Sequence, residues 1–119
     1  MKLSEIREIL NAEVLSGEAV LEHIDVEKGY SSDLMSDVLA FASPAVLLLT
    51  GLTNVQIFRT AQMLDIPSIV FVRGKTPSED LLELAQEAEM PILVTFMSMF
   101  EASGRLYAKG LAPCSIPKR

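Results

Sequence analysis

Val46, Ile69 and Ile92 each open a short apolar run, and the three starts are spaced 23 residues apart. The interval is that of one strand plus one helix. Strands are predicted over 46–50, 68–72 and 92–95, and the segments 54–64, 77–88 and 99–109 between and after them carry the composition of helices of about a dozen residues. Such alternation builds βαβ units with right-handed crossovers, and it requires a parallel sheet with both faces covered. Three such units are too few for a solenoid. The expected fold is therefore α/β, a three-layer α/β/α sandwich around a mainly parallel sheet of about 4–5 strands.

The remainder of the chain is less regular. Leu3, Ile6, Ile9 and Leu10 predict a helix over 3–10, and Glu13, Val14 and Leu15 a short strand that Gly17 breaks. A helical turn over 19–21 and an alternating segment over 24–30 follow. Ser31 or Ser32 then caps a helix that runs to Phe41, before Ser43 and Pro44 end it. With 119 residues the chain is expected to hold one domain, residues 1–111, and a tail, 112–119, in which Pro113 and Pro117 oppose helix. The place of the first strand in the sheet, edge or centre, is left open.

Half of the residues are hydrophobic, which favours a homodimer covering part of the surface. The net charge of −6 argues against nucleic acid and anionic membrane as partners, because both are bound through clustered Lys and Arg. The apolar runs fall well short of the roughly 20 residues that span a bilayer, and the acidic start Met1-Lys2-Leu3-Ser4-Glu5 lacks a signal peptide's pattern. A cytoplasmic protein is expected. Cys114 and His23 are the sole cysteine and histidine, so neither a zinc or haem site nor a Cys–His couple is expected. Asp33 and Asp37, four apart, are read as dipole compensation at a helix start rather than as a metal pair. No cofactor, no metal and no catalytic residue are assigned.

Each repeated helix is preceded by a capping-box pattern: Thr53 to Gln56, Thr76 to Glu79 and Ser98 to Glu101. All three lie at the carboxyl edge of the expected sheet, where open α/β sheets take their ligands. The residues expected at that edge are Ser32, Asp33, Thr50, Gly51, Thr53, Asn54, Arg73, Gly74, Lys75 and Thr95. Helix starts together with Arg73 and Lys75 make a small anionic metabolite or nucleotide the expected ligand. The competing structural reading has the caps satisfying the same donors and Arg73 paired with Glu79 or Asp80. No dinucleotide fingerprint, P-loop or nucleophile elbow occurs in the sequence.

Ser32 to Ala40, Leu48 to Asn54 and Ile69 to Lys75 closely resemble stand-alone DRTGG-domain proteins, and the resemblance runs from about Lys2 to Leu111. DRTGG domains also occur fused to CBS modules in regulated pyrophosphatases and within some phosphotransacetylases. They are similar in fold to the N-terminal domain of HPr kinase/phosphorylase, whose P-loop belongs to a separate domain. The resemblance implies a regulatory or assembly module, often dimeric, without an established activity of its own. Here the Thr-Gly-Gly element is reduced to Thr50-Gly51-Leu52, and no Asp-Arg dipeptide occurs. Two functional classes follow. One is a non-catalytic, homodimeric module that senses a small anion or nucleotide. The alternative is a small transferase or hydrolase using Ser32, Asp33, Thr50 or Arg73. A purely assembling role, with a larger enzyme as partner, would use Met35, Met63, Met97, Met99 or Phe100 at its interface.

Overall fold

Side-chain alternation along three central strands decides the layering. In the computed structural model, which describes residues 1–116, these are β3 (Leu47–Thr50), β4 (Ser68–Phe71) and β5 (Ile92–Val94). Leu47, Leu49, Val70, Val72 and Leu93 turn to one face, and Leu48, Ile69, Phe71, Ile92 and Val94 to the other. Both faces are apolar, so both need helices. α2 (Met35–Phe41), α3 (Val55–Met63) and α4 (Glu79–Glu87) cover one face through Val38, Ile57, Phe58, Ala61, Leu81 and Ala85. α1 (Leu3–Leu10) and α5 (Met99–Ala108) cover the other through Leu3, Ile6, Leu10, Ala102 and Leu106.

The sheet has six strands in the order β1-β5-β4-β3-β2-β6, adding β1 (Glu13–Ser16), β2 (Lys28–Ser31) and β6 (Ala112–Pro113). Every pairing is parallel except β1 with β5. β2 to β5 step across the sheet in one direction, and crossovers of one hand place their three helices on one face. The chain then returns from β5 to β6 at the far side, and this return carries α5 over the opposite face, against β2 and β3.

Several local expectations are corrected. Ser31 belongs to β2, and α2 starts only at Met35, after a Leu34 cap residue that makes no side-chain capping bond. Two capping boxes are displaced. Asn54 rather than Thr53 caps α3, accepting from the Ile57 N–H, and Ser78 rather than Thr76 caps α4, accepting from the Leu81 N–H. Ser98 caps α5 as expected, accepting from the Glu101 N–H. β1 lies at a sheet edge and runs antiparallel to β5. The segment after Leu111, set apart above as a tail, contributes β6, and Cys114 beyond it is buried beside Ser43, 3.7 Å from Sγ to Oγ. Residues 117–119 of that segment lie outside the described residues.

Thr95, one residue past β5, shows how the layers are tied. Its buried hydroxyl donates to the Leu10 carbonyl at 2.7 Å, fixing the end of α1 to the sheet. Thr95→Val keeps the shape but leaves a buried carbonyl without this donor, and should cost about 1–3 kcal/mol of unfolding free energy in urea titrations. A change within about 0.3 kcal/mol would mean that the hydroxyl does not anchor α1.

Candidate functional site

Arg73 stands two residues beyond the end of β4 in a backbone conformation that side chains seldom take. Its φ is 59° and that of Gly74 is 65°, while the Lys75 N–H bonds to the Val72 carbonyl at 3.1 Å. Two left-handed residues inside a four-residue turn closed by that bond have the form of a type I′ turn, where Asn or Gly is the usual first central residue. Arginine there costs about 1–2 kcal/mol, so the surroundings must hold it. They do so through the Arg73 N–H to the Met97 carbonyl at 2.9 Å and the Gly74 N–H to the Thr95 carbonyl at 2.8 Å.

The turn carries the guanidinium sideways over the end of β3 toward Asp33. Arg73 Nη1 lies 3.1 Å from Asp33 Oδ2, and Asp33 Oδ1 accepts the Gly51 N–H at 2.6 Å. Arg73 therefore pairs with Asp33, not with Glu79 or Asp80. Asp33 is available because Ser32 does not start a helix: Ser32 Oγ accepts the Leu34 N–H at 3.0 Å, closing a small turn that turns the chain away from β2. A Cβ on Gly51 would fall on Arg73 Nη2 and stand 3.1 Å from Asp33 Oδ1, so only glycine lets the guanidinium lie across the strand end.

Asp33, Gly51, Arg73 and Gly74 thus form one cluster, with the exposed Lys75 next in the chain. The other expected residues serve the loops. Thr50 is fully buried and its hydroxyl accepts the Leu52 N–H at 3.1 Å. The Thr53 carbonyl accepts the Ser78 N–H, Asn54 caps α3, and Thr95 faces α1. Glu79 and Asp80 occupy the first turn of α4, and Glu101 that of α5. These carboxylates already compensate the helix dipoles, so attraction for an anion at this edge rests on Arg73 and Lys75. Among the described residues, no three His, Cys, Asp or Glu side chains gather as a metal site.

Sequence reasoning missed Phe96. Its ring is 84% exposed and lies over Gly74, where an added Cβ would meet it at 2.8 Å. The signal was present: counting the 23-residue interval from Arg73 arrives at Phe96, and counting back arrives at Thr50. Thr95, one position earlier, is in phase with the buried Val72, 23 residues before it, and turns into the core.

No protein-family model matches the chain, and no curated protein gives a significant match. Among solved structures, the chain is similar to the crystal structure of the CBS and DRTGG domains of the regulatory region of Clostridium perfringens pyrophosphatase, complexed with an activator, diadenosine tetraphosphate. The TM-score is 0.75 at 22% identity over 93% of this chain. The match spans about half of that structure's chain, 47%. The fold is DRTGG-like.

The cluster makes a specific coupling prediction. Gly51→Ala should destabilise the protein by displacing the guanidinium, whereas in an Arg73→Ala background the same substitution removes little, because the clashing atoms are gone. A double-mutant cycle in urea should give a coupling of about 0.5–1 kcal/mol, the scale of the exposed ion pair that is displaced. Additive costs would show that Arg73 does not lie on Gly51 in solution.

Proposed function

We propose that the DRTGG-like fold serves here as a regulatory or assembly module that binds a small anion, of the nucleotide class, at the Asp33–Gly51–Arg73 cluster, without chemistry of its own. The observation that carries this reading is the strained turn at Arg73. An exposed arginine held in a left-handed conformation, and oriented across a neighbouring strand by a carboxylate, is a positioned cation rather than a loose surface charge. Asp33 uses one guanidinium nitrogen at 3.1 Å, and the planar fork has further donors for an anion arriving from solvent. Lys75 adds a second charge beside it. The similar regulatory region, complexed with a nucleotide activator, supports the choice of ligand class.

The transferase or hydrolase alternative has weaker support in the geometry. Its candidate base, Asp33, has one carboxylate oxygen on the Gly51 N–H and the other beside Arg73. Of its hydroxyl candidates, Thr50 is fully buried with its oxygen on the Leu52 N–H, and Ser32 Oγ accepts the Leu34 N–H. These groups hold loops in place.

The same reading includes a homodimer, a larger enzyme as partner and a cytoplasmic setting. Exposed apolar side chains support pairing: Phe96 and Leu34 flank the cluster, and Met63 and Phe100 are exposed elsewhere. Met35, Met97 and Met99 pack against the two cores and are weaker interface candidates.

A thermal-shift panel of nucleoside polyphosphates, including diadenosine tetraphosphate, tests the proposal. A true ligand at a hundredfold excess over its Kd should add about 2.7 kcal/mol of stability, and Arg73→Met should abolish the shift. Turnover of a bound nucleotide that is lost in Asp33→Ala would instead favour the enzyme. Sedimentation at micromolar concentration should give a dimer, and a monomer would remove the homodimer from the proposal.

A further inference from the structure

The return of α5 toward β6 leaves a cavity between the helix and the edge of the sheet. Its volume is about 480 Å³, within the range of small-molecule sites, and it is floored by Leu49, Leu106 and Leu111. Phe100 and Tyr107 stand at its rim, 89% and 65% exposed, offering flat apolar faces to the opening. Among the described residues, no charged side chain lines it. Tyr30, also in the lining, stays neutral: burial, and then the nearby Asp37 and Cys114, push its phenol above the ordinary range.

Gly104 sits inside α5 at the lining, and a Cβ there would meet nothing within 4 Å. A glycine inside a helix is disfavoured by about 1 kcal/mol relative to alanine, and among the described residues no contact requires this one. Its effect is to keep the cavity open.

The polar groups of the cavity are few and grouped. The Ser31 and Ser103 hydroxyls share a 2.7 Å hydrogen bond, both residues being in the lining. β6 pairs only with Lys28 and Gly29, and the Gly29 carbonyl accepts the Cys114 N–H at this edge. Backbone alternation turns the next like-facing residue, Ser31, outward past the end of β6, with its N–H donor beside its C=O acceptor. Ser31 is two residues from Asp33, at most about 7 Å along the chain, and Asp33 is the partner of Arg73.

We propose that this cavity receives the base of a purine nucleotide, whose phosphates lie on Arg73 and Lys75. An uncharged, flat heteroaromatic ring with a donor beside an acceptor complements the aromatic rim, the apolar floor and the Ser31 edge. The anionic end of the same molecule complements Arg73, whose partner Asp33 is two residues beyond Ser31, and Lys75. This inference rests on the anion-binding reading above and assigns that ligand its second half.

Calorimetric titration of the full chain with adenosine, ATP and inorganic tripolyphosphate tests both halves separately. Adenosine should bind without any phosphate, and ATP should bind at least tenfold more tightly than tripolyphosphate. Gly104→Leu, which fills the mouth of the cavity at a position with free space and improves the helix, should weaken adenosine and ATP at least tenfold while leaving tripolyphosphate unchanged. Phe100→Ser, on an exposed side chain, should weaken adenosine in the same direction. If ATP and tripolyphosphate bind equally, and only Arg73→Met weakens them, the base pocket is refuted and the anion site stands. If none of the three probes binds, both readings fail. If Gly104→Leu alters sedimentation and not nucleoside affinity, the cavity is filled by a second copy of the chain and the base pocket is again refuted.

Discussion

Asp33 reaches from the end of β2 to the Gly51 N–H at the end of β3, 2.6 Å away, and to Arg73 beyond β4, 3.1 Å away, so one carboxylate spans three adjacent strand ends. As an ion pair between half-exposed groups it contributes little to global stability, since solvent and salt screen it. Its consequence is positional. It orients a guanidinium whose backbone is already held by the Met97 and Thr95 carbonyls. Without Asp33 the arginine would sweep solvent, and the edge would present a diffuse charge rather than a fixed fork.

The regular part of this arrangement was legible in the sequence because it is local. A strand and the helix after it are written in consecutive residues, and the 23-residue interval placed β3, β4, β5 and the helices after them. What failed to be legible depends on contacts distant in sequence. The cap of α3 fell one residue late and that of α4 two residues late, because either of two neighbouring side chains could cap and the loop path decides between them. β6 has two residues, one of them a proline, and it becomes a strand only because β2 lies beside it. The competing reading paired Arg73 with Glu79 or Asp80, the carboxylates that follow it in sequence, whereas the turn aims the side chain at one 40 positions earlier.

Thr50-Gly51-Leu52 has neither the second glycine of a Thr-Gly-Gly element nor an Asp-Arg dipeptide before it. The structure nevertheless brings an aspartate and an arginine together on Gly51, from two other loops. Leu52, in place of the second glycine, packs against the core, and its N–H is taken by the Thr50 hydroxyl. The close approach of the guanidinium requires only one residue without a Cβ, and that residue is kept.

The opposite end of the sheet differs in charge from the end that carries Arg73. There α3 and α4 end, and the chain turns through Asp65 and Glu89 in left-handed conformations, φ 57° and 56°. Both are carboxylates beside helix C-termini, where the backbone already presents negative partial charge. A shallower cavity of about 300 Å³ lies between them, lined by both residues. Its field repels anions. At the carboxyl end the helix starts are capped and matched by Glu79, Asp80 and Glu101, so the dipoles are largely spent. Selectivity between the two ends therefore comes from two side chains, Arg73 and Lys75, in a chain whose net charge including them is −6. Charges so few and so exposed attract weakly at physiological salt. Affinity for a charged metabolite would then have to come largely from burying an uncharged part of the same molecule, and the apolar cavity beside Ser31 is where this fold has room to do so.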